Sequence, residues 1–436
     1  MTMLTKDYVK WFRNSAPYIN AHRGKTFVLM LGGEAVAHAN FANIIHDIAL
    51  LNSLGVRLVL VHGARPQIEE RAKLRGVSSR FEKDLRITDG QTLECVTDAA
   101  GSLRAQIEAL LTMGLANSPM HGAQIRVCSG NFVVAKPIGV MNGIDFEHTG
   151  IVRRVDVDGI NTQLADGSIV LLSPTGYSPT GEVFNLSLED VATHAAIALG
   201  ADKLIAFSEH NGLHDMNGAL IQSCEVGDLK FLLQHNNDNA TGRLLKALIH
   251  SGESGIDRGH CVSYSDDGAL LQELFTRDGA GTLITKSSYE QLRMATIDDV
   301  GGILELIEPL EDQGVLVKRS RELLENEINQ FTVIERDGMV IACAALYPYT
   351  EQATGEIACV VTHPDYRGED RGERLLAALE MQALEKQLDV VFVLTTQTAH
   401  WFQELGFIET DNKQLPVQKQ QLYNLQRNSK VFSKRI

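Results

Sequence analysis

The chain has 436 residues, enough for about two or three domains with ordinary hydrophobic cores, so no disulfide or metal staple is needed to hold it together. Hydrophobic residues make up 44% and charged residues 22%, and the formal net charge is −15. Such an acidic chain is a poor general binder of nucleic acid or of membrane surfaces, although a local basic pocket for an anionic ligand is compatible with it. The six cysteines, Cys95, Cys128, Cys224, Cys261, Cys343 and Cys359, form no C-x-x-C pair and no zinc spacing, which predicts reduced thiols and no metal. The first residues lack the apolar core of a signal peptide, and no apolar run reaches bilayer length, so a cytoplasmic location is expected.

Residues 1–22 read as an amphipathic helix with Tyr8, Val9, Phe12, Tyr18 and Ile19 as its apolar members. Such a helix ahead of a complete domain is either a packing arm to another subunit or folds onto its own domain. Strands and helices then alternate. Strands are predicted at 27–31, 57–62, 124–128, 169–172 and 203–207, and helices at 40–54, 66–74, 92–111 and 188–199. This order predicts a three-layer α/β domain. The pattern breaks near Gly279 and Gly281. The expected domains are 1–283 and 292–436, with 284–291 as linker. The second domain opens with a strand at Leu292, then Thr296 and Asp299 as a helix-starting box before Val300–Ile307. Strands at 331–335, 340–347, 355–362 and 390–395 and helices at 371–386 and 400–405 make it a mixed α+β domain.

The segment from Val360 to Gly372 carries the clearest chemistry. A strand meets a turn containing Arg367, Gly368, Asp370, Arg371 and Gly372, then a helix with Leu375, Leu376 and Leu379 on one face. Free N–H groups at a helix start suit a pyrophosphate, the arginines add charge, and the glycines let phosphate oxygens approach. The preceding strand offers backbone N–H groups to a thioester carbonyl. These residues resemble the acetyl-CoA signature of the GNAT acetyltransferases, R/Q-x-x-G-x-G/A, with Asp370 where the middle glycine usually stands. The resemblance implies acetyl-CoA as co-substrate, no resident cofactor, and Cys359, Val361, Arg367, Gly368, Asp370, Arg371 and Gly372 around it. Asp370 is suited to capping the helix. Phe402 stands where many such enzymes carry the tyrosine that protonates the thiolate. Thr395, Thr396, a water or an unassisted thiolate remain for that step. Glu356 is the expected base for the amine, with burial raising its proton affinity, and Cys359 is grouped with it as catalytic.

Two basic clusters fit an acceptor with two carboxylates. They are Lys318 with Arg319, and the acid-free tail holding Arg427, Ser429 and Lys430. The bland alternative is a solvated tail. Taken whole, the chain resembles the two-domain bacterial N-acetylglutamate synthases, in which an amino-acid-kinase-like α/β/α domain precedes a GNAT α+β domain. The resemblance implies acetyl transfer to L-glutamate, the first step of arginine biosynthesis, with Lys318 or Arg319 on one carboxylate and Arg427 with Ser429 or Lys430 on the other.

The first half resembles acetylglutamate kinase in the stretches 26–33, 59–68, 85–89, 185–189 and 209–213. Met30 stands where the kinases hold a lysine, Arg65 replaces a glycine of the phosphate turn, and Glu189 replaces an aspartate. Phosphoryl transfer depends on positioning and charge neutralisation, so kinase chemistry is not expected. The segment 270–282 resembles the arginine site of arginine-sensitive kinases, which implies Tyr18, His260, Glu273 and Gly281 as ligands of inhibitory L-arginine. It also implies a homo-oligomer, a ring-shaped hexamer interlocked by the N-terminal helix.

Overall fold

The chain is described by a computed structural model covering residues 9–436 apart from 10, 11, 14, 114–119, 236–239, 277, 278, 287–289, 337, 338, 368, 369, 397 and 423–428 (backbone only at 365, 421 and 422). Two units separate at Ser287 and Ser288.

In the first unit the apolar runs become neighbouring strands. Thr26–Leu31 lies between Lys203–Ser208 and Arg57–His62, all parallel. Ile169–Leu172 and Val127–Ser129 extend the sheet on one side, and Arg258–Ser263, Thr282–Thr285 and Ser223–Glu225 on the other. Successive residues of the central strand enter two cores. Val28 and Met30 pack with Val59, Val61 and Ala206, whereas Phe27, Leu29 and Leu31 pack with Leu58, Leu60 and Ile205. A sheet covered on both faces explains why these strands are apolar without alternation, and it yields the expected α/β/α layering. Helices Phe41–Ser53, Gly90–Thr112 and Leu188–Leu199 cover the sheet, the last closed by Gly200 in the left-handed conformation.

Three expectations need correction. The strand expected at 124–128 forms only over Val127–Ser129. The N-terminal helix has a turn at Ser15 before Ala16–His22. The linker expected from 284 is instead the strand Thr282–Thr285, antiparallel to Arg258–Ser263, so the first sheet runs past the 283 boundary. A small sheet of Val133–Pro137, Gly150–Val155, Thr175–Tyr177 and Val183–Asn185 was not anticipated.

The second unit is one mixed sheet in the order 291–294, 331–336, 339–349, 354–362, 390–395, 430–435, 408–410. Thr296 and Asp299 form the expected reciprocal cap. The basic tail contributes the strand Lys430–Arg435, which inserts between Val390–Thr395 and Ile408–Thr410. Only 354–362 and 390–395 are parallel, and their pairing stops at Ile357 and Val393. Beyond that point the two strands diverge, so among the described residues the edge of 358–362 facing Leu394 and Thr395 has no strand partner. No helix among the described residues is long and apolar enough to cross a membrane.

Candidate active site

The strand Thr354–Thr362 holds two unusual residues. Cys359 has φ 52°, the left-handed region, within a strand. There the register with the neighbouring strand slips: Ala345 pairs with Ala358 but Cys343 pairs with Val361. One residue on one strand therefore faces two on the other, a β-bulge. The bulge reverses side-chain parity. Glu356 lies opposite Tyr347, and Cys359 and Val361 share the core that Tyr347 packs against, although residues three apart face opposite ways in a regular strand. The bulge and the end of the parallel pairing coincide in this stretch of the strand.

Glu356 is buried, as anticipated, but not solitary. Lys419 Nζ lies 2.7 Å from its Oε1, and the Tyr349 hydroxyl donates to Oε2 at 3.3 Å. Burial and then the Glu356 carboxylate push the Tyr349 phenol up, so it stays a donor. Arg319 lies close enough to Tyr347 and Cys359 for their charges to act on it, and the Tyr347 hydroxyl donates to Glu327 at 2.8 Å. Lys318 does not join them. Its side chain is 81% exposed, 4.0 Å from Asp312, because adjacent residues of an extended turn point apart. Ser429 is half-buried just before the tail strand, while Arg427 and Gly368 lie outside the described residues.

Several residues of the turn have other duties than those expected. Arg371 is buried, paired with Glu290 at 2.6 Å and donating to the Tyr366 carbonyl at 2.9 Å. Its charge is neutralised inside the fold rather than offered to a phosphate. Arg374 shares the same carboxylate at 2.9 Å. Asp370 occupies the N-cap position but makes no side-chain cap hydrogen bond. A Cβ on Gly372 would stand 3.0 Å from the Trp401 ring, so tight helix packing requires this glycine. Arg367 is exposed and remains the turn's outward cation. Phe402 is buried between Trp401 and Phe407, in the core rather than at the opening. Of the two threonines, Thr395 is buried at the divergence, sharing a 2.9 Å hydrogen bond with the Thr398 hydroxyl, and Thr396 is exposed. The Cys359 thiol is pushed up to about 11 by burial, which disfavours a thiolate at this position.

In the first unit, His260, Glu273 and Gly281 come together. Glu273 Oε2 accepts the backbone N–H groups of Ala280 and Gly281, each at 2.9 Å, and Oε1 accepts from His260 Nδ1 at 2.7 Å. Burial, then the nearby Lys203 ammonium, holds His260 down to about 4. The imidazole is therefore neutral, with Nδ1 donating to Glu273 and Nε2 accepting from Lys203 Nζ at 3.2 Å. Burial alone would raise the Glu273 carboxyl, but the hydrogen bonds it accepts outweigh burial and lower it. Gly281 is obligatory, since a Cβ there would meet the Cys261 carbonyl oxygen. Tyr18 packs half-buried against the adjoining core. Lys203 was missed because it reads as the first residue of a strand.

The former phosphate turn has become an ion-pair network. Arg65 pairs with Asp84 at 2.5 Å, and Arg243 pairs with Asp84 and, at 3.1 Å, with Glu189. These residues line a cavity of about 200 Å³ bordered by Gly32, Gly33 and Gly63. The glycines persist for packing: a Cβ on Gly33 would lie 2.8 Å from Pro66 Cδ.

His22, His62 and His260 are each lowered from 6.5 to about 4, in every case first by burial. The unfolded chain binds these protons near pH 6.5 and the native chain only near pH 4. Their contribution is therefore complete above pH 6.5 and lost as pH falls toward 4, about 3 kcal/mol for each histidine. Asp47, raised to about 7 by burial and Asp267, acts in the opposite sense, as do Glu189, raised by burial, and His194, raised by Asp190, but of these only Asp47 is shifted as far as the histidines. The urea midpoint of the kinase-like unit is expected to fall steadily from pH 7 to pH 5, and a flat profile would contradict the assignment.

Comparison with known proteins agrees with this geometry. The Amino acid kinase family profile matches residues 25–242 and the Acetyltransferase (GNAT) domain profile residues 327–409. Amino-acid acetyltransferases of Ectopseudomonas mendocina and Azotobacter vinelandii are each 57% identical over 99% of this chain and 100% of theirs. The crystal structure of Neisseria gonorrhoeae N-acetylglutamate synthase complexed with coenzyme A and L-arginine matches with TM-score 0.91 and 35% identity, over 98% of this chain and 99% of that one. The same enzyme complexed with coenzyme A and N-acetyl-glutamate matches with TM-score 0.63 and 36% identity, over the same shares. The chain belongs to the amino-acid acetyltransferase family, as an acyltransferase with an amino-acid-kinase-like domain followed by a GNAT domain.

Proposed function

We propose that this enzyme transfers the acetyl group of acetyl-CoA to the α-amine of L-glutamate, giving N-acetylglutamate and CoA at the head of arginine biosynthesis, and that L-arginine inhibits it through the kinase-like unit. The observation that carries the reading is the buried Glu356 carboxylate on the strand whose bulge presents the Cys359 backbone at a sheet opening. Glu356 takes a proton from the substrate ammonium, and the neutral amine attacks the thioester carbonyl. The oxyanion formed there is met by backbone N–H groups of the bulged strand. Collapse of the tetrahedral intermediate expels the CoA thiolate, to which we assign Thr395 as a hydrogen-bond donor, and the second proton shed by the former ammonium nitrogen neutralises it. Burial also pushes the Cys343 thiol well up, so neither thiol of this site favours an acyl-enzyme, and transfer is direct.

Arg319 and the tail around Ser429 are assigned to the carboxylates of glutamate, and Arg367 and the helix start at Arg371 to the CoA pyrophosphate. In support, the gonococcal synthase is described with coenzyme A and N-acetyl-glutamate. The arginine reading draws on the same enzyme's complex with L-arginine and on the Lys203–His260–Glu273 chain, which offers both charges that a zwitterionic amino acid needs. Phosphoryl transfer is not proposed, because Met30 is an apolar core residue and the phosphate turn is filled by ion pairs. The enzyme acts in the cytoplasm as a homo-oligomer, with Val9 and Phe12 as apolar surface for a second copy; light scattering reads the hexamer directly.

The decisive test incubates the enzyme with acetyl-CoA and single amino acids while following free thiol. Release with L-glutamate, suppressed by L-arginine, is expected, and silence with glutamate overturns the reading. Glu273→Ala should abolish the arginine effect while glutamate turnover persists. Undiminished inhibition in that variant would sink the arginine site.

A further inference from the structure

Three features of the Glu356 ion pair are not needed to explain acetyl transfer. The first is its source. Lys419 comes from the short helix Val417–Leu422 of the basic tail, and the tail's other paired lysines are engaged elsewhere, Lys430 with Glu409 at 3.1 Å and Lys434 with Glu380 at 2.7 Å. The second is its asymmetry. The Glu356 side chain is 8% exposed and the Lys419 side chain 23%. The carboxylate is fixed in a strand, while the lysine has a flexible four-carbon stem with access to water. The third is its conflict with catalysis: a base must offer a lone pair to the substrate ammonium, and another ammonium 2.7 Å from Oε1 holds one carboxylate oxygen while the Tyr349 hydroxyl lies 3.3 Å from the other.

A single change resolves the conflict. An acceptor with a second carboxylate brings a new anion into reach of Lys419. Drawing the ammonium onto that carboxylate replaces one ion pair with another and releases Glu356 as the α-amine arrives. A neutral side chain of the same size offers no such exchange and leaves the base engaged.

We propose that Lys419 is a specificity-determining positioning residue, which holds Glu356 in the empty site and releases it to the side-chain carboxylate of an acidic acceptor. This rests on L-glutamate being the acceptor. It places discrimination in kcat as well as in KM, because the wrong amino acid meets an occupied base.

The test compares full-length wild type, Lys419→Met, Lys419→Gln and Lys419→Arg with acetyl-CoA and either L-glutamate or L-glutamine, following free thiol and confirming products by mass. Circular dichroism and CoA binding establish that each variant is folded. Lys419→Met should raise the KM for glutamate about 10- to 100-fold, the loss of one charged hydrogen bond. It should also raise kcat with glutamine, so that the glutamate-to-glutamine kcat ratio falls at least about tenfold. Lys419→Gln should behave alike and serves if Lys419→Met does not fold. Lys419→Arg should restore most of the lost discrimination. Folded neutral variants that keep the wild-type kcat ratio overturn the proposal, as does an arginine variant no better than methionine. Wild-type turnover with glutamate alongside an unchanged ratio refutes only the Lys419 role. Wild-type silence with glutamate refutes both it and the acceptor assignment.

Discussion

Glu356→Gln is expected to lower kcat roughly 10²- to 10⁴-fold, the range over which a positioned base contributes, with KM for acetyl-CoA little changed. The amide is nearly isosteric with the carboxylate, and its oxygen can still accept from Lys419 while its NH2 faces the Tyr349 hydroxyl oxygen, so the strand and its bulge persist. What it cannot do is accept the proton of the substrate ammonium. A pre-steady-state measurement of thiol release separates the chemical step from product release. If that step is as fast in the variant as in wild type, Glu356 is a structural anion for Lys419 and the base must be sought elsewhere.

The second large effect concerns backbone rather than side chain. Cys359→Gly should retain kcat to within about tenfold, because glycine adopts a positive φ without strain. Cys359→Val should lose roughly 10²- to 10³-fold, the usual cost of removing one oxyanion donor. A β-branched residue strongly disfavours φ 52°, so the strand relaxes toward a regular ladder and its N–H turns away from the opening. Steady-state kinetics on the pair decides the matter. A nucleophilic thiol would leave both variants dead; near wild-type activity in both would show that the bulge has no part in the reaction.

Much of this fold was legible because its signals are local. The apolar runs 57–62 and 169–172 could only be buried strands, and Thr296 with Asp299 announced a helix start that the structure reproduces as a capping box. The site was legible by residue type and order but not by partner. Arg371 reads as a phosphate ligand until Glu290, 81 positions away, is found on its guanidinium. Lys419 looked like one more charge in a solvated tail, and only the folded chain brings it 2.7 Å from Glu356. The tail strand Lys430–Arg435 was hidden by its charges, since four of its six residues are exposed or partly exposed while Val431 and Phe432 are buried. The face on which Cys359 lies depends on a one-residue register slip, which no periodicity in the strand itself reveals. Lys203 was obscured in the same way, because its role depends on His260 in the adjacent strand.

The Glu290 carboxylate has a practical consequence for dissecting the protein. It lies before the first strand of the acetyltransferase unit, yet it grips Arg371 and Arg374 at the start of the helix assigned to CoA. An isolated C-terminal fragment beginning at residue 292, where the sequence pattern puts the domain start, would lack this anchor and bury a guanidinium stripped of that carboxylate. Removing one member of a buried ion pair costs roughly 3–5 kcal/mol, enough to make a competent domain look intrinsically unstable. A cleavage point at 287 or 288 keeps the anchor with the half that depends on it.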